Sequence, residues 1–140
     1  MTKISLKDAE KIIDSAIAKA REDGAAPMGV VVLDCGGHII AYKREDDAAI
    51  LRFDIARGKA KGAISLGINS SKFAEMAEQR PAFIASLGAL TDGNIIPSAG
   101  GVLIYGDNMD VIGAVGVSGD LPDVDEKCAI EGVKKSGFNI

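Results

Sequence analysis

Two pairs of short apolar runs, each joined by a glycine-containing turn, constrain the fold of this 140-residue chain more than any other feature. The first pair covers residues 28–33 and 38–42, with Asp-Cys-Gly-Gly between the runs. The second pair covers residues 102–105 and 111–117, and its turn begins with Gly-Asp-Asn. Apolar, β-rich runs on both sides of such turns predict β-hairpins. The sequence therefore predicts two antiparallel hairpins.

Helical patterns precede, separate and follow the two hairpins. Apolar residues three and four positions apart predict a first helix over residues 5–23, with Ser5 as its N-cap and Gly24 just after its end. The other helical patterns are a long one that opens near Ile50, short ones at 72–79 and 82–87, and a last one over 122–136. This order predicts an α/β (α+β) fold, α-ββ-αα-ββ-α, with a single antiparallel sheet and flanking helices. At 140 residues, we expect positions 1–140 to form one domain.

The long helix that opens near Ile50 has one face of mostly small residues, which predicts close packing against the sheet or another helix. That face consists of Phe53, Ala56, Ala60, Ala63, Ile64 and Gly67. The other side is expected to carry Arg52, Arg57, Lys59 and Lys61.

Composition excludes several classes of function. The net charge is −4 and aromatic residues make up 4% of the chain, so neither the basic surface nor the stacking rings of a nucleic-acid-binding protein are present. No apolar stretch has the length of a membrane span, and the N-terminus lacks a signal-peptide pattern, so we expect a cytoplasmic protein without a membrane partner. Cys35 and Cys128 are too few for a disulfide framework and are expected to be free thiols.

Two glycines that follow Pro97 form the most unusual segment. Gly100 and Gly101 precede a predicted strand, where glycine permits positive φ and close approach of the backbone. Their N–H groups are candidates for a small anion-binding nest, and a tight turn explains the same residues equally well.

Charged residues after the second predicted strand are a further candidate site. Arg44 offers a fork of donors for a carboxylate, and Asp46 is a candidate general base. A solvated strand end explains the same pattern. Ser118 is a candidate nucleophile only if His38 lies beside it, and a turn or cap role is favoured.

Acidic residues that begin the last predicted helix have two interpretations. Asp123, Asp125 and Glu126 suit the positive end of the helix dipole, and they are also candidate ligands for a hard cation. The helix dipole is the favoured explanation.

His38 is the only histidine in the chain, which excludes a multi-histidine metal site within one copy. Its imidazole is a candidate ligand for haem iron, and Met28 and Tyr42 are weaker ones. A surface or structural role for His38 is the simpler interpretation.

Several of these segments, taken in order and with their gaps, resemble the GlcG/HbpS family, which includes the C-terminal domain of PduO-type proteins. They are residues 31–34, 36–38, 44–48, 56–60, 97–102, 111–119 and 125–126, and the resemblance covers nearly the whole chain. The resemblance implies a roadblock- or profilin-like sheet with flanking helices. It also implies homo-oligomers, from dimers to octamers, and haem binding in some members.

The resemblance and the residues together leave three hypotheses. The first is a ligand-binding oligomer that takes haem or another small acidic molecule. The residues that would line its pocket are Arg44, Asp46, Pro97, Gly100, Gly101, Ser118 and Glu126. The second is a small catabolic isomerase, hydratase or lyase, with Asp46 or Glu126 as the base and the Gly100–Gly101 N–H groups stabilising an oxyanion. The third is a structural accessory subunit.

Overall fold

The computed structural model describes residues 3–140, and its elements follow the predicted order. Those elements are α1 (Leu6–Glu22), β1 (Gly29–Asp34), β2 (Ile39–Arg44), α2 (Arg52–Leu66), α3 (Ser70–Gln79), α4 (Pro81–Leu90), β3 (Gly101–Tyr105), β4 (Val111–Ser118) and α5 (Pro122–Lys135). The α+β class is confirmed, and the block between the hairpins comprises three helices.

Both predicted hairpins are present, and they join through their inner strands. The sheet has the strand order β2-β1-β4-β3, and all three neighbouring pairs are antiparallel. Val32 of β1 lies opposite Ala41 of β2 on one side and Val115 of β4 on the other. The sheet therefore has β1 and β4 at its centre and β2 and β3 at its edges.

Alternating side chains of the central strands pack into two layers of core. Val30 and Val32 of β1 face one side, where they pack against α1 and α5. Val31 and Leu33 face the other side, where they pack against α2. Since successive side chains of a strand point to opposite faces, a strand covered by helices on both sides is apolar throughout. The run of valines in β1 is explained by this double burial.

Small residues bring α2 unusually close to β4, as the sequence predicts. Ala56, Ala60 and Ala63 are fully buried against the sheet. A Cβ atom added to Gly116 of β4 would collide with the carbonyl oxygen of Ala56. The close contact therefore requires glycine at position 116.

Local signals at the ends of the first helix and the first hairpin are also confirmed. Ser5 and Asp8 form a capping box on α1, and Gly24 follows its end with φ of +68°. In the first turn, Gly37 has φ of +82°, and its N–H donates to the Asp34 carbonyl.

Three predictions about the middle helices were wrong. Lys59, expected on the exposed side of α2, is only 2% exposed. Gly67, expected on the buried face, is exposed and ends α2 with φ of +71°. The helix α3 begins at Ser70, where a break was expected, because the chain has already turned at Gly67. In addition, α4 continues to Leu90, three residues beyond its expected end.

Between residues 3 and 140, no helix combines the length and the apolar character needed to cross a membrane.

Candidate functional site

One end of the sheet gathers several of the residues predicted to bind a ligand. Gly29 at the start of β1 lies opposite Arg44 of β2 and opposite Ser118 of β4. Positions directly opposite one another in a sheet share a face, so Arg44 and Ser118 lie on the α2 side with Gly29 between them. The structure therefore brings together two residues that are far apart in sequence.

Arg52, at the first turn of α2, completes this group. Its Nη1 donates a hydrogen bond to Ser118 Oγ at 3.2 Å. The hydroxyl of Tyr42 lies 2.7 Å from the position that a Cβ atom of residue 29 would take, and Arg52 Cβ lies 3.2 Å from it. We call Arg44, Arg52, Tyr42 and Ser118, which surround Gly29, the arginine cluster.

The hydroxyl of Tyr42 is buried without a hydrogen-bond partner. Within residues 3–140, the only other buried side-chain polar atoms in this state are Arg57 Nε and Glu126 Oε2. Burial raises the pKa of Tyr42, and the nearby charge of Arg44 partly opposes this effect. The phenol is therefore a neutral donor at physiological pH.

Next to this cluster, Lys59 and Asp125 form a buried ion pair. Lys59 Nζ lies 3.0 Å from Asp125 Oδ2 and also donates to the carbonyl of Val117 at 3.0 Å. Asp125 accepts further N–H bonds from Gly119 at 3.4 Å and Asp120 at 2.9 Å. The pair thus joins α2 to the start of α5 across the end of β4.

Burial dominates the electrostatics of this pair. It lowers the pKa of Lys59, and the attraction of Asp125 opposes that change. It also raises the pKa of Asp125, against the attraction of Lys59 and the two N–H bonds. Both directions reflect the cost of removing a charge from water.

The two glycines of the unusual loop lie against Lys59. A Cβ atom at Gly100, where φ is +130°, would lie 2.6 Å from the Val117 carbonyl oxygen and 2.9 Å from Lys59 Nζ. The N–H of Gly101 donates to Ser70 Oγ at 2.8 Å, so it is already used within the fold. Pro97 is exposed at the start of this loop.

The two candidate general bases lie on separate elements. Asp46 is exposed in the loop between β2 and α2, and Glu126 is half-buried in the first turn of α5. Among the described residues, no hydrogen bond or ion pair connects either carboxylate to Arg44.

His38 lies at the opposite end of the sheet, beside a pocket of about 440 Å³. With a rise of about 3.3 Å per strand residue, His38 is roughly 20 Å from Arg44 along β2. The lining residues of the pocket are Lys3, Ile4, Asp34, Cys35, Gly36, His38, Ile40 and Ile112. The two predicted parts of a haem site therefore lie at different ends of the molecule, and Ser118 is far from His38.

The carboxylate of Asp34 holds the turn that carries His38. Asp34 Oδ1 lies 3.3 Å from His38 Nδ1 and accepts the N–H groups of His38 and Gly36, each at 2.9 Å. These backbone hydrogen bonds, His38 first, lower the pKa of Asp34, so it is ionised at neutral pH. An acceptor beside Nδ1 favours the tautomer in which Nε2 is the free lone-pair nitrogen.

The two cysteines are unpaired and differ in environment. Cys35 is exposed and lines the pocket beside His38, whereas Cys128 is buried in the core between α1 and α5. Burial raises the pKa of Cys128 to about 11. Cys35 is therefore the thiol that a ligand or reagent can reach.

The acidic start of α5 does not form a metal site in this structure. Across residues 3–140, no group of three or more His, Cys, Asp or Glu side chains is arranged to hold a metal ion. Asp125 instead pairs with Lys59, so the explanation of that residue by the helix dipole alone was incomplete.

Sequence reasoning named Arg52, Lys59 and Asp125 but did not predict the contact of Arg52 with Ser118 or the ion pair of Lys59 with Asp125. For Lys59 a signal was available, because it lies three residues after Ala56 and four before Ala63, on the same stripe as both. Nothing in the sequence near Asp125 indicates its partner, which is 66 residues away.

Comparison with known proteins gives one consistent family. Residues 4–134 match the family described as haem degrading protein HbpS-like. An uncharacterized 15.0 kDa protein in the dhaT-dhaS intergenic region of Citrobacter freundii is 33% identical over 126 residues, which are 90% of this chain and 87% of the relative.

Two solved structures share the fold. A double mutant of Streptomyces reticuli HbpS is 27% identical, with a TM-score of 0.82 over 96% of this chain and 87% of that one. A PduOC:heme complex is 20% identical, with a TM-score of 0.87 over 98% of this chain and 97% of that one.

Proposed function

This chain belongs to the HbpS-like family of haem-degrading proteins, and from that premise we propose that it binds haem in the pocket beside His38. The observation that carries the proposal is the pairing of His38 Nδ1 with the Asp34 carboxylate at the mouth of this pocket. Histidines that bind metals usually direct their second ring nitrogen to such a carboxylate, which fixes the tautomer and raises the basicity of the ligating nitrogen.

The chemistry of the pocket fits a tetrapyrrole. Its volume of about 440 Å³ lies within the usual range for small-molecule sites. Ile4, Ile40 and Ile112 provide an apolar wall for the macrocycle, and Lys3 provides a cation for a propionate. When bound, haem would supply an iron that the imidazole of His38 would hold through Nε2.

The other candidate ligands fit less well. Met28 is fully buried in the core, and Tyr42 belongs to the arginine cluster at the far end of β2. Cys35 lines the same pocket as His38, and its thiolate is a second ligand of the kind that haem proteins use.

A haemin titration followed by absorbance tests the proposal. We expect a saturable shift of the Soret band at one haem per chain for the parent protein and for Cys35→Ser, and its loss in His38→Ala. Asp34→Ala should bind about 10- to 100-fold more weakly, because it removes the carboxylate that orients the ring. A non-saturating spectrum, or one unchanged in His38→Ala, would contradict the assignment.

The proposal includes self-association, which the family resemblance implies. The helix α4 contains no charged residue, and Phe83 and Leu90 are 37% and 80% exposed. A groove of about 550 Å³ beside the edge strand β3 exposes further apolar side chains. Apolar surface of this kind favours association, here with a second copy of the chain.

Sedimentation velocity tests whether the chain self-associates. We expect the parent protein and a control, Leu6→Glu at an exposed position of α1, to sediment as oligomers. Leu90→Glu should shift the population toward monomer, because it introduces a charge into the apolar face of α4. Monomeric parent protein at high concentration would refute self-association.

A further inference from the structure

Arg52 is a half-buried cation that forms no ion pair in contact, although its charge also acts on Asp120 from a distance. Among residues 3–140, its side chain has one hydrogen-bond partner, the neutral hydroxyl of Ser118, and no carboxylate lies within ion-pair distance. Arg44, on the same face, is exposed and also lacks an ion pair, so the desolvation cost falls on Arg52. Since moving a charge out of water is costly without compensation, this arrangement favours a site whose anion comes from solution.

Three acidic groups on neighbouring segments are engaged elsewhere, whereas Asp54 acts on Tyr42 only through its charge, which raises the pKa of the phenol. Asp120 Oδ2 accepts the N–H of Ala26 at 2.8 Å, and its Oδ1 accepts the N–H of Leu121 at 2.7 Å. These backbone hydrogen bonds lower the pKa of Asp120. Asp125 is paired with Lys59. Glu45 is paired with Arg21 at 3.0 Å and accepts the N–H of Met28.

Two neutral hydroxyl groups belong to the cluster, and that of Ser118 accepts from Arg52. Ser118 is 1% exposed and contacts Arg52, and the Tyr42 hydroxyl is covered but unpartnered beside Gly29. A buried donor without an acceptor weakens the free protein and gains a hydrogen bond when a ligand supplies the acceptor.

We propose that the arginine cluster binds a small organic carboxylate, with Arg52 as the main contact, Arg44 as the second cation and Tyr42 as the neutral donor. A guanidinium fork matches the two oxygens of a carboxylate. Ile50 and Leu51, which directly precede Arg52, are 81% and 59% exposed and would contact the hydrocarbon part of the ligand. This apolar margin favours a carboxylate with an alkyl chain over inorganic phosphate.

This site is separate from the His38 pocket. The length of β2 lies between them, and none of the residues that line the pocket belongs to the arginine cluster. The proposal therefore does not depend on haem binding, and the two fail or succeed independently.

An NMR titration of backbone amides with butyrate, acetate and phosphate, each at constant ionic strength, tests the proposal. We expect butyrate to bind most tightly and phosphate most weakly, with the largest shifts near Gly29, Arg52 and Ser118. Arg52→Gln should weaken butyrate binding at least about tenfold, because it removes a charge-assisted bidentate contact. Lys134→Gln, the same change of charge at the exposed end of α5, should leave affinity unchanged.

Tyr42→Phe separates a ligand-binding role from a structural one. Because the hydroxyl has no partner in the free protein, its removal should not lower the free energy of unfolding, yet it should weaken butyrate binding several-fold. Equal affinities of Arg52→Gln and Lys134→Gln for butyrate, or shifts centred elsewhere, would overturn the site. His38→Ala should retain butyrate binding, which keeps this test distinct from the haem titration.

Discussion

At the scale of residues, the ion pair of Lys59 and Asp125 differs from the other ion pairs of residues 3–140 because both of its side chains are buried. Its two side chains are 2% and 1% exposed, and Nζ and Oδ2 are 3.0 Å apart. Breaking such a pair by removing one partner leaves an uncompensated buried charge, which costs far more than the intact pair contributes.

We therefore expect Lys59→Met to lower the free energy of unfolding by about 3–5 kcal/mol. Asp125→Asn, which keeps the size of the side chain, should be destabilising in the same way because Lys59 then lacks its counter-ion. The double variant should be less destabilised than the sum of the two single variants. Urea denaturation of the four proteins measures this coupling, and strictly additive effects would show that the pair does not act as a unit.

Asp34 gives a second prediction, which concerns pH. Its pKa in the folded protein is below the ordinary value of 3.8, mainly because of the backbone N–H of His38. The unfolded chain therefore binds the proton more tightly, and ionised Asp34 stabilises the fold above pH 3.8. That contribution is lost as the pH falls from 3.8 through the lower pKa of the folded state.

Asp34→Ala should accordingly be less stable than the parent protein at pH 7, and the difference should shrink below pH 3.8. Urea denaturation at a series of pH values measures it. Asp110→Ala, which removes an exposed carboxylate, serves as the control. A difference between parent and Asp34→Ala that stays constant down to pH 2 would contradict this account.

The structural role of a residue could be predicted only where a local sequence pattern indicates it. The capping box of Ser5 and Asp8 was predicted from the spacing of the two residues, and the structure confirms it. The burial of Lys59 was not predicted, because a lysine on a helix is usually solvated and its counter-ion comes from α5. The row of Arg44, Gly29 and Ser118 depends on strand register, which a single sequence does not specify.

At the scale of elements, the contact between α2 and β4 depends on the absence of a side chain at Gly116. A methyl group at this position would collide with the backbone of Ala56, which can move only if the whole helix moves. Tightly packed interiors resist such shifts.

We expect Gly116→Ala to lower the free energy of unfolding by about 1–3 kcal/mol. Gly88→Ala in α4 is the matched control, because an added Cβ there contacts nothing within 4 Å and φ is not positive. In that helix interior, alanine should raise stability by about 0.5–1 kcal/mol. A lower Tm for Gly116→Ala and a higher Tm for Gly88→Ala would confirm that the loss comes from the collision with Ala56. Equal decreases of Tm in the two variants would refute it.

Element boundaries show where local reasoning is sufficient. The hairpins and α1 were predicted to within two residues, because turn glycines and caps define their ends. The start of α3 lies two residues before its predicted position, because its two serines suggest a loop. In the fold, Ser70 is fully buried, and its hydroxyl donates to the Ser98 carbonyl and accepts from the Gly101 N–H.

At the scale of the whole molecule, the sheet separates two regions of different chemistry. The end with the first hairpin turn holds His38, Asp34 and Cys35 beside an apolar pocket. The opposite end holds the arginine cluster, in a chain whose net charge is −4. The sequence indicated His38 at one end and Arg44 and Ser118 at the other, but it did not indicate Arg52, and the separation became visible only once the register of β1, β2 and β4 was known.

The central position of β1 and β4 has a consequence for biosynthesis. Val32 can pair with Val115, and α1 can pack against α5, only after the C-terminal part has been synthesised. The N-terminal half therefore leaves the ribosome with an unpaired strand and an uncovered core. At about 5–20 residues per second, this exposure lasts several seconds. Until then the nascent chain keeps apolar surface exposed, and a chain that terminates before residue 122 lacks the helix α5 that covers this side of the sheet.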